Sequence, residues 1–121
     1  MDVLGPESFD GPRLRLPGTW LVDFSAEWCP FCVEFLTKFV SLGGEGGFRV
    51  AIGDLTDVDS PLWDWFHVEV TPTVVAFRDG VAIFRRDGRW GEGLDEGDLR
   101  ALIGALEAPV NGAAPRSSTR P

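Results

Sequence analysis

The sequence predicts an α/β domain in which a central mixed sheet of four to five strands carries helices on both faces. Three observations carry that expectation. Residues 19–24 are apolar on both faces save one acid, as in a covered central strand. Apolar residues at helical spacing follow directly, and two β-rich runs late in the chain are joined only by Asp79-Gly80. With 121 residues, 44% hydrophobic and 25% charged, the chain has material for one core and not for two. Residues 1–107 are therefore read as one domain, and residues 108–121, which lack periodicity, as a disordered tail.

In order along the chain, residues 1–18 carry Gly5, Pro6, Gly11, Pro12, Pro17 and Gly18, which break any long helix and predict a turn or irregular lead-in. The strand at residues 19–24 holds Asp23, a candidate buried carboxylate. From Pro30 to about Leu42, the positions Val33, Phe35, Leu36, Phe39 and Val40 predict a helix, with Pro30 suited to its first turn. The glycine-rich stretch 43–47 ends it, and residues 48–53 read as a second strand, parallel to the first. Ser60 and Pro61 open a short helix whose Leu62, Trp63, Trp65 and Phe66 are read as packing. Residues 73–78 and 81–86 form a hairpin through a type I′ turn. Asp95 caps a last helix with Leu99, Leu102, Ile103 and Leu106 on one stripe.

A net charge of −8, from 19 acidic and 11 basic residues, argues against nucleic acid or an anionic membrane as partner. The first residues have no basic and apolar signal pattern, and no apolar run approaches the roughly 20 residues of a membrane span. The expectation is a cytoplasmic protein without a membrane anchor, acting as a monomer.

The chemistry lies in Cys29-Pro30-Phe31-Cys32. Cysteines spaced i,i+3 at a helix N-terminus can bridge, and the first sits where unpaired amides and the helix dipole favour negative charge. A thiolate at Cys29 is thereby stabilised, and only the thiolate attacks disulfides. Cys32, one turn inward, is expected to be more buried and less acidic. Other readings fit less well. Two cysteines packing as small hydrophobes leave the strand–CxxC–helix context unexplained. A zinc site wants four ligands, and the chain adds only a distant His67, read as a surface or capping residue. A structural disulfide disagrees with an intracellular address.

The run Leu21-Val22-Asp23-Phe24-Ser25-Ala26-Glu27-Trp28-Cys29-Pro30-Phe31-Cys32 resembles the active-site strand and helix of the thioredoxin family, and Val70-Thr71-Pro72-Thr73 resembles its second signature. The hairpin turn and the start of the last helix are similar too, so that the resemblance covers roughly residues 7–107. It implies a thioredoxin-like fold and a cis Thr71–Pro72 bond, with Pro72 lying against the cysteines and backbone groups there presented to an extended substrate segment. The sequence also departs from the family. Its tetrapeptide is Cys-Pro-Phe-Cys in place of Cys-Gly-Pro-Cys. Ile52 stands where a lysine usually neighbours the buried acid, so that Asp23 lacks its charge partner and keeps its proton to higher pH. Val33 replaces a frequent lysine, Thr37 a helix-kinking proline, and Val70 a small residue; the N-terminal strand and helix look truncated.

Together these imply a thiol–disulfide oxidoreductase, a protein-disulfide reductase. Cys29 would be the nucleophile, Cys32 the resolving thiol and Asp23 the acid–base group serving Cys32. Asp23 as a carboxylate held by backbone amides is the competing reading. Trp28, Pro30, Phe31, Thr71 and Pro72 are the expected substrate-binding residues, with Trp28 alternatively a hydrophobic staple at the helix start. No cofactor or metal is expected beyond the redox-active pair. The implied partners are disulfide-containing proteins, with a thioredoxin-reductase-like flavoprotein or glutathione as electron donor. A glutaredoxin-like glutathione-dependent reductant and a non-catalytic binding module of the same fold are the alternatives.

Overall fold

The structure, a computed structural model, describes residues 1–43 and 46–107. The elements in chain order are β1 (Asp2–Leu4), a 3-10 turn (Pro6–Ser8), β2 (Phe9–Asp10), β3 (Arg13–Leu14), β4 (Thr19–Ser25), α1 (Pro30–Gly43), β5 (Arg49–Asp54), α2 (Leu62–Trp65), β6 (Thr73–Arg78), β7 (Val81–Arg86) and α3 (Glu96–Glu107). The five-stranded sheet has the order β1-β5-β4-β6-β7; β1, β5 and β4 run parallel, and β6 and β7 antiparallel.

β4 is the centre, paired on both edges and buried from Trp20 through Ser25, which is why its sequence reads as a nearly continuous apolar run. Because side chains alternate across a strand, its residues feed two separate cores. Trp20, Val22 and Phe24 join Phe9, Phe66, Phe77 and Leu62 on one face. Leu21 meets Phe35 and Phe39 of α1 and Leu99, Leu102 and Leu106 of α3 on the other. The aromatic rings of the first core touch edge to face or tilted, with Phe9 5.2 Å from Phe66 and Phe24 4.6 Å from Phe66 between centroids.

The N-terminal lead-in is more regular than its glycines and prolines predict. β1 adds an edge strand beside β5, with Val3 in register with Ile52. β2 and β3 form a small hairpin that lowers Phe9 and Leu14 into the first core. Three residues are too few to show a periodicity, and their partner lies about fifty residues ahead, so local sequence carries no sign of the pairing. What the resemblance implies to be truncated is thus a three-residue strand, with a 3-10 turn and hairpin after it.

Elsewhere the local signals match the elements. The hairpin turn takes φ +50° at Asp79 and +89° at Gly80, the positive pair a type I′ turn needs. The Asp95 carboxylate accepts from the Asp98 amide at 2.9 Å while that of Asp98 accepts from the Asp95 amide at 3.0 Å, a reciprocal cap that starts α3. The expected tail at residues 108–121 lies outside the described residues. Among the described residues, no helix is long and apolar enough to cross a membrane.

Candidate active site

Cys29 sits at the boundary between β4 and α1 as the helix cap. Its carbonyl accepts from the Cys32 and Val33 amides, both at 3.1 Å, so the helix proper begins at Pro30, whose missing N–H has no partner to lose. The Cys29 sulfur occupies the place of the oxygen in an ordinary Ser or Asp cap and accepts from the Cys32 amide at 3.3 Å. A second donor arrives from the turn that leads into β6: the Thr71 hydroxyl lies 3.2 Å from the same sulfur. The Thr71 carbonyl, 3.7 Å away, is placed to accept from the thiol form. Two donors suit a thiolate and one acceptor suits a thiol, so the site accommodates both states of this sulfur.

Cys32 faces inward beside it. Burial, and then its hydrogen bond with Cys29, push its thiol up to about 12. Cys32 is the more buried of the two, as expected, though by a narrow margin. Cys29 is 5% exposed and Cys32 3%, and the Thr71 hydroxyl and carbonyl both lie against the first sulfur. Cys32 borders a cleft of about 300 Å³ between α1 and the β1–β5 edge, with Ser25, Ala26, Leu36 and Ile52 among its walls.

Asp23 lies fully inside, in register with Ile52 of β5 and Val74 of β6. Neither carboxylate oxygen has a hydrogen-bond partner, which overturns the reading of an acid held by backbone amides. Burial alone pushes its carboxyl up to about 7. Among the described residues, no group of three or more His, Cys, Asp or Glu side chains could hold a metal. His67 is exposed, at φ +48° just past α2, away from both cysteines' partners.

Cys29 opens instead onto a groove of about 390 Å³. Trp28 and Phe31 line it beside the start of α1, together with Trp63, Val70, Thr71 and Trp90. Trp28 is 54% exposed, donates its indole N–H to the Thr56 carbonyl at 2.9 Å and stacks on Trp63, 6.2 Å between centroids and 10° between planes. It is a groove wall and not a buried staple. Of the residues expected to bind substrate, Trp28, Phe31 and Thr71 line this groove; Pro30 is exposed at the first helical position and Pro72 is buried, both outside the lining. The Thr71–Pro72 peptide is cis, as the resemblance implies.

Four groove residues went unrecognised in the sequence: Trp63, Glu69, Trp90 and Gly91. Trp63 does pack, half-buried, against the first core, as Leu62, Trp65 and Phe66 around it also do, and it lines the groove as well. Trp90 had a usable signal, a lone indole amid Gly88, Gly91 and Gly93. Its loop is held by Arg89, which pairs with Asp98 at 2.9 Å and with Asp95 and Glu92 at 3.4 Å. The hydrogen bond from Arg89 holds the Asp98 carboxyl below the usual carboxylate range.

No family model and no curated protein matches the sequence. Solved structures do. A mutant thioredoxin from Halobacterium salinarum NRC-1 is 29% identical over 78% of this chain and 79% of its own, with a TM-score of 0.64. Thioredoxin f2 from Chlamydomonas reinhardtii, 21% identical, aligns with 90% of this chain and 98% of that one at a TM-score of 0.72. A thioredoxin from Schistosoma mansoni, 18% identical, aligns with 74% of this chain and 78% of that one at 0.62. The fold is the thioredoxin fold, and the adjoining cysteines at the head of its first long helix make this a thioredoxin-fold redox protein. It is a thioredoxin-like protein whose paired cysteines enclose Pro30 and Phe31.

Proposed function

We propose that the protein reduces disulfides in partner proteins by dithiol–disulfide exchange through Cys29 and Cys32. The observation that supports this best is the Cys29 sulfur, met by the Cys32 amide and the Thr71 hydroxyl at the floor of an open groove. The Cys29 thiolate attacks one sulfur of a substrate disulfide, forming a mixed disulfide and expelling the other sulfur as a thiolate, which takes up a proton. Cys32 then loses its proton and attacks the Cys29 sulfur. The second substrate thiolate leaves and is protonated, and the two electrons gained by the substrate are those lost in forming the Cys29–Cys32 bond.

Cys32 cannot attack while its thiol stays near 12, so a base must take its proton once the mixed disulfide has formed. Asp23 is the buried carboxyl with no competing partner, and at about 7 it is near the value a general base needs at neutral pH. It makes no direct hydrogen bond to Cys32, and in this reading the proton passes between them through a water that enters on substrate binding. The electron donor is a thioredoxin-reductase-like flavoprotein or glutathione.

Reduction of insulin by the protein in the presence of dithiothreitol, followed by precipitation, tests this reading. The native chain accelerates precipitation, Cys29→Ser does not, and Cys32→Ser accumulates the mixed disulfide. Equal activity of Cys29→Ser would overturn the proposal. A stable glutathionyl adduct with glutathione-driven turnover would move the protein to the glutaredoxin-like class, and absence of turnover with retained peptide binding to the binding modules.

A further inference from the structure

The groove beside Cys29 is walled by indoles and carries one charge. Trp28, Trp63 and Trp90 line it, with Trp90 87% exposed, and among the described residues Glu69 is the only ionisable side chain lining it apart from the thiol. Glu27 and Asp64 adjoin Trp28 and Trp63 in the chain, and the Asp57 carbonyl accepts from the Trp63 indole N–H at 3.2 Å. Among the described residues, no basic residue lines the groove. Arg89, next to Trp90, is engaged by Asp98, Asp95 and Glu92, and Arg85 by Asp87.

Indole faces carry negative quadrupole charge and attract cations, Arg above all, and a carboxylate beside them adds a like contribution. An acidic segment entering the same groove would meet Glu69 in a chain of net charge −8. We infer that Trp63, Glu69 and Trp90 select substrates whose reactive cysteine is flanked by arginine or lysine, so that the preferred partners are disulfide-bearing extended segments of basic character. The inference rests on the reductase reading and names the substrate class for that same groove.

The test is a competition between two disulfide-linked peptides identical except for Arg or Glu on either side of the cysteine, offered to the reduced native protein. A basic neighbour also makes any cysteine a better leaving group, so each rate is divided by the peptide's rate with dithiothreitol. The normalised preference for the Arg peptide is expected to be about tenfold at low salt and to shrink as salt screens it. Glu69→Gln and Trp90→Ala each reduce that ratio by about threefold. Equal normalised rates, or a preference untouched by both substitutions, overturn the inference and leave the reductase reading standing. Failure to reduce either peptide, while dithiothreitol reduces both, overturns the reductase reading itself.

Discussion

The hydroxyl of Thr71 donates to the sulfur of Cys29 across 3.2 Å from a position 42 residues further along the chain. The turn before β6 therefore completes a site that α1 only begins, since α1 supplies the Cys32 amide and β6's leading turn supplies the second donor.

Thr71→Val keeps the shape of the side chain and deletes the donor. Hydrogen bonds to charged groups contribute about 1.5–3 kcal/mol, of which part is recovered from water. Alkylation of Cys29 by iodoacetamide at neutral pH is expected to slow about tenfold. An unchanged rate would remove the hydroxyl from the account of thiolate stabilisation.

Asp23 makes stability depend on pH in a definite direction. Below about pH 4 its carboxyl is protonated in folded and unfolded chains alike and its titration costs nothing. Between there and about pH 7 the unfolded chain has lost the proton that the folded chain keeps, so stability falls by up to about 1.4 kcal/mol for each pH unit. Above that window both states are ionised and the loss is constant. Asp23→Asn should therefore gain on the native chain by up to about 4 kcal/mol between pH 4 and pH 8 in urea unfolding. A difference that does not change with pH would show the carboxyl to titrate normally.

Ile52 and Asp23 are register partners on β5 and β4 and share a face of the sheet. Ile52→Lys brings an ammonium toward an unpartnered carboxyl, and an opposite charge within about 4–6 Å lowers a carboxyl by about 1–3 pH units. Carboxyl titration by NMR should find Asp23 shifted down by that amount, with the pH-dependent loss of stability ending at lower pH and smaller in total. No shift would mean that the new ammonium turns out through the neighbouring cleft to solvent.

Gly93 and Gly91 separate two effects of glycine. Both have positive φ, +72° and +75°, but a Cβ at Gly93 would lie 2.8 Å from Cβ of Phe31, and one at Gly91 meets nothing within 4 Å. Each alanine bears the backbone cost of about 1 kcal/mol. Gly93→Ala must in addition displace Phe31, and is expected to be the more destabilising by about 1–2 kcal/mol. Equal losses in urea unfolding would mean that Phe31 moves aside without cost.

Much of the site was legible because its parts are local. Cys29, Pro30 and Cys32 are set by the cap of one helix, where backbone amides lack partners whatever lies around them. Asp23 was legible as a buried acid because it interrupts an apolar run, yet its lack of any partner depends on what its neighbours on β5 and β6 bring, and they bring Ile52 and Val74. Trp63 and Trp90 could not be assigned to a common groove, since they lie on α2 and on the loop after β7 and meet only when the sheet is complete.

By itself, then, the sequence determined the central strand, the helix that opens at the cysteines, the hairpin at Asp79-Gly80 and the chemistry available to the pair. These follow from periodicity, caps and turn residues that act within a few positions of one another. Tertiary structure decided that β1 pairs with β5, that Thr71 reaches Cys29, and that three indoles and Glu69 frame the sulfur. Each of those is a contact between residues far apart in the chain, made when both faces of the sheet are buried together, and no local pattern records it.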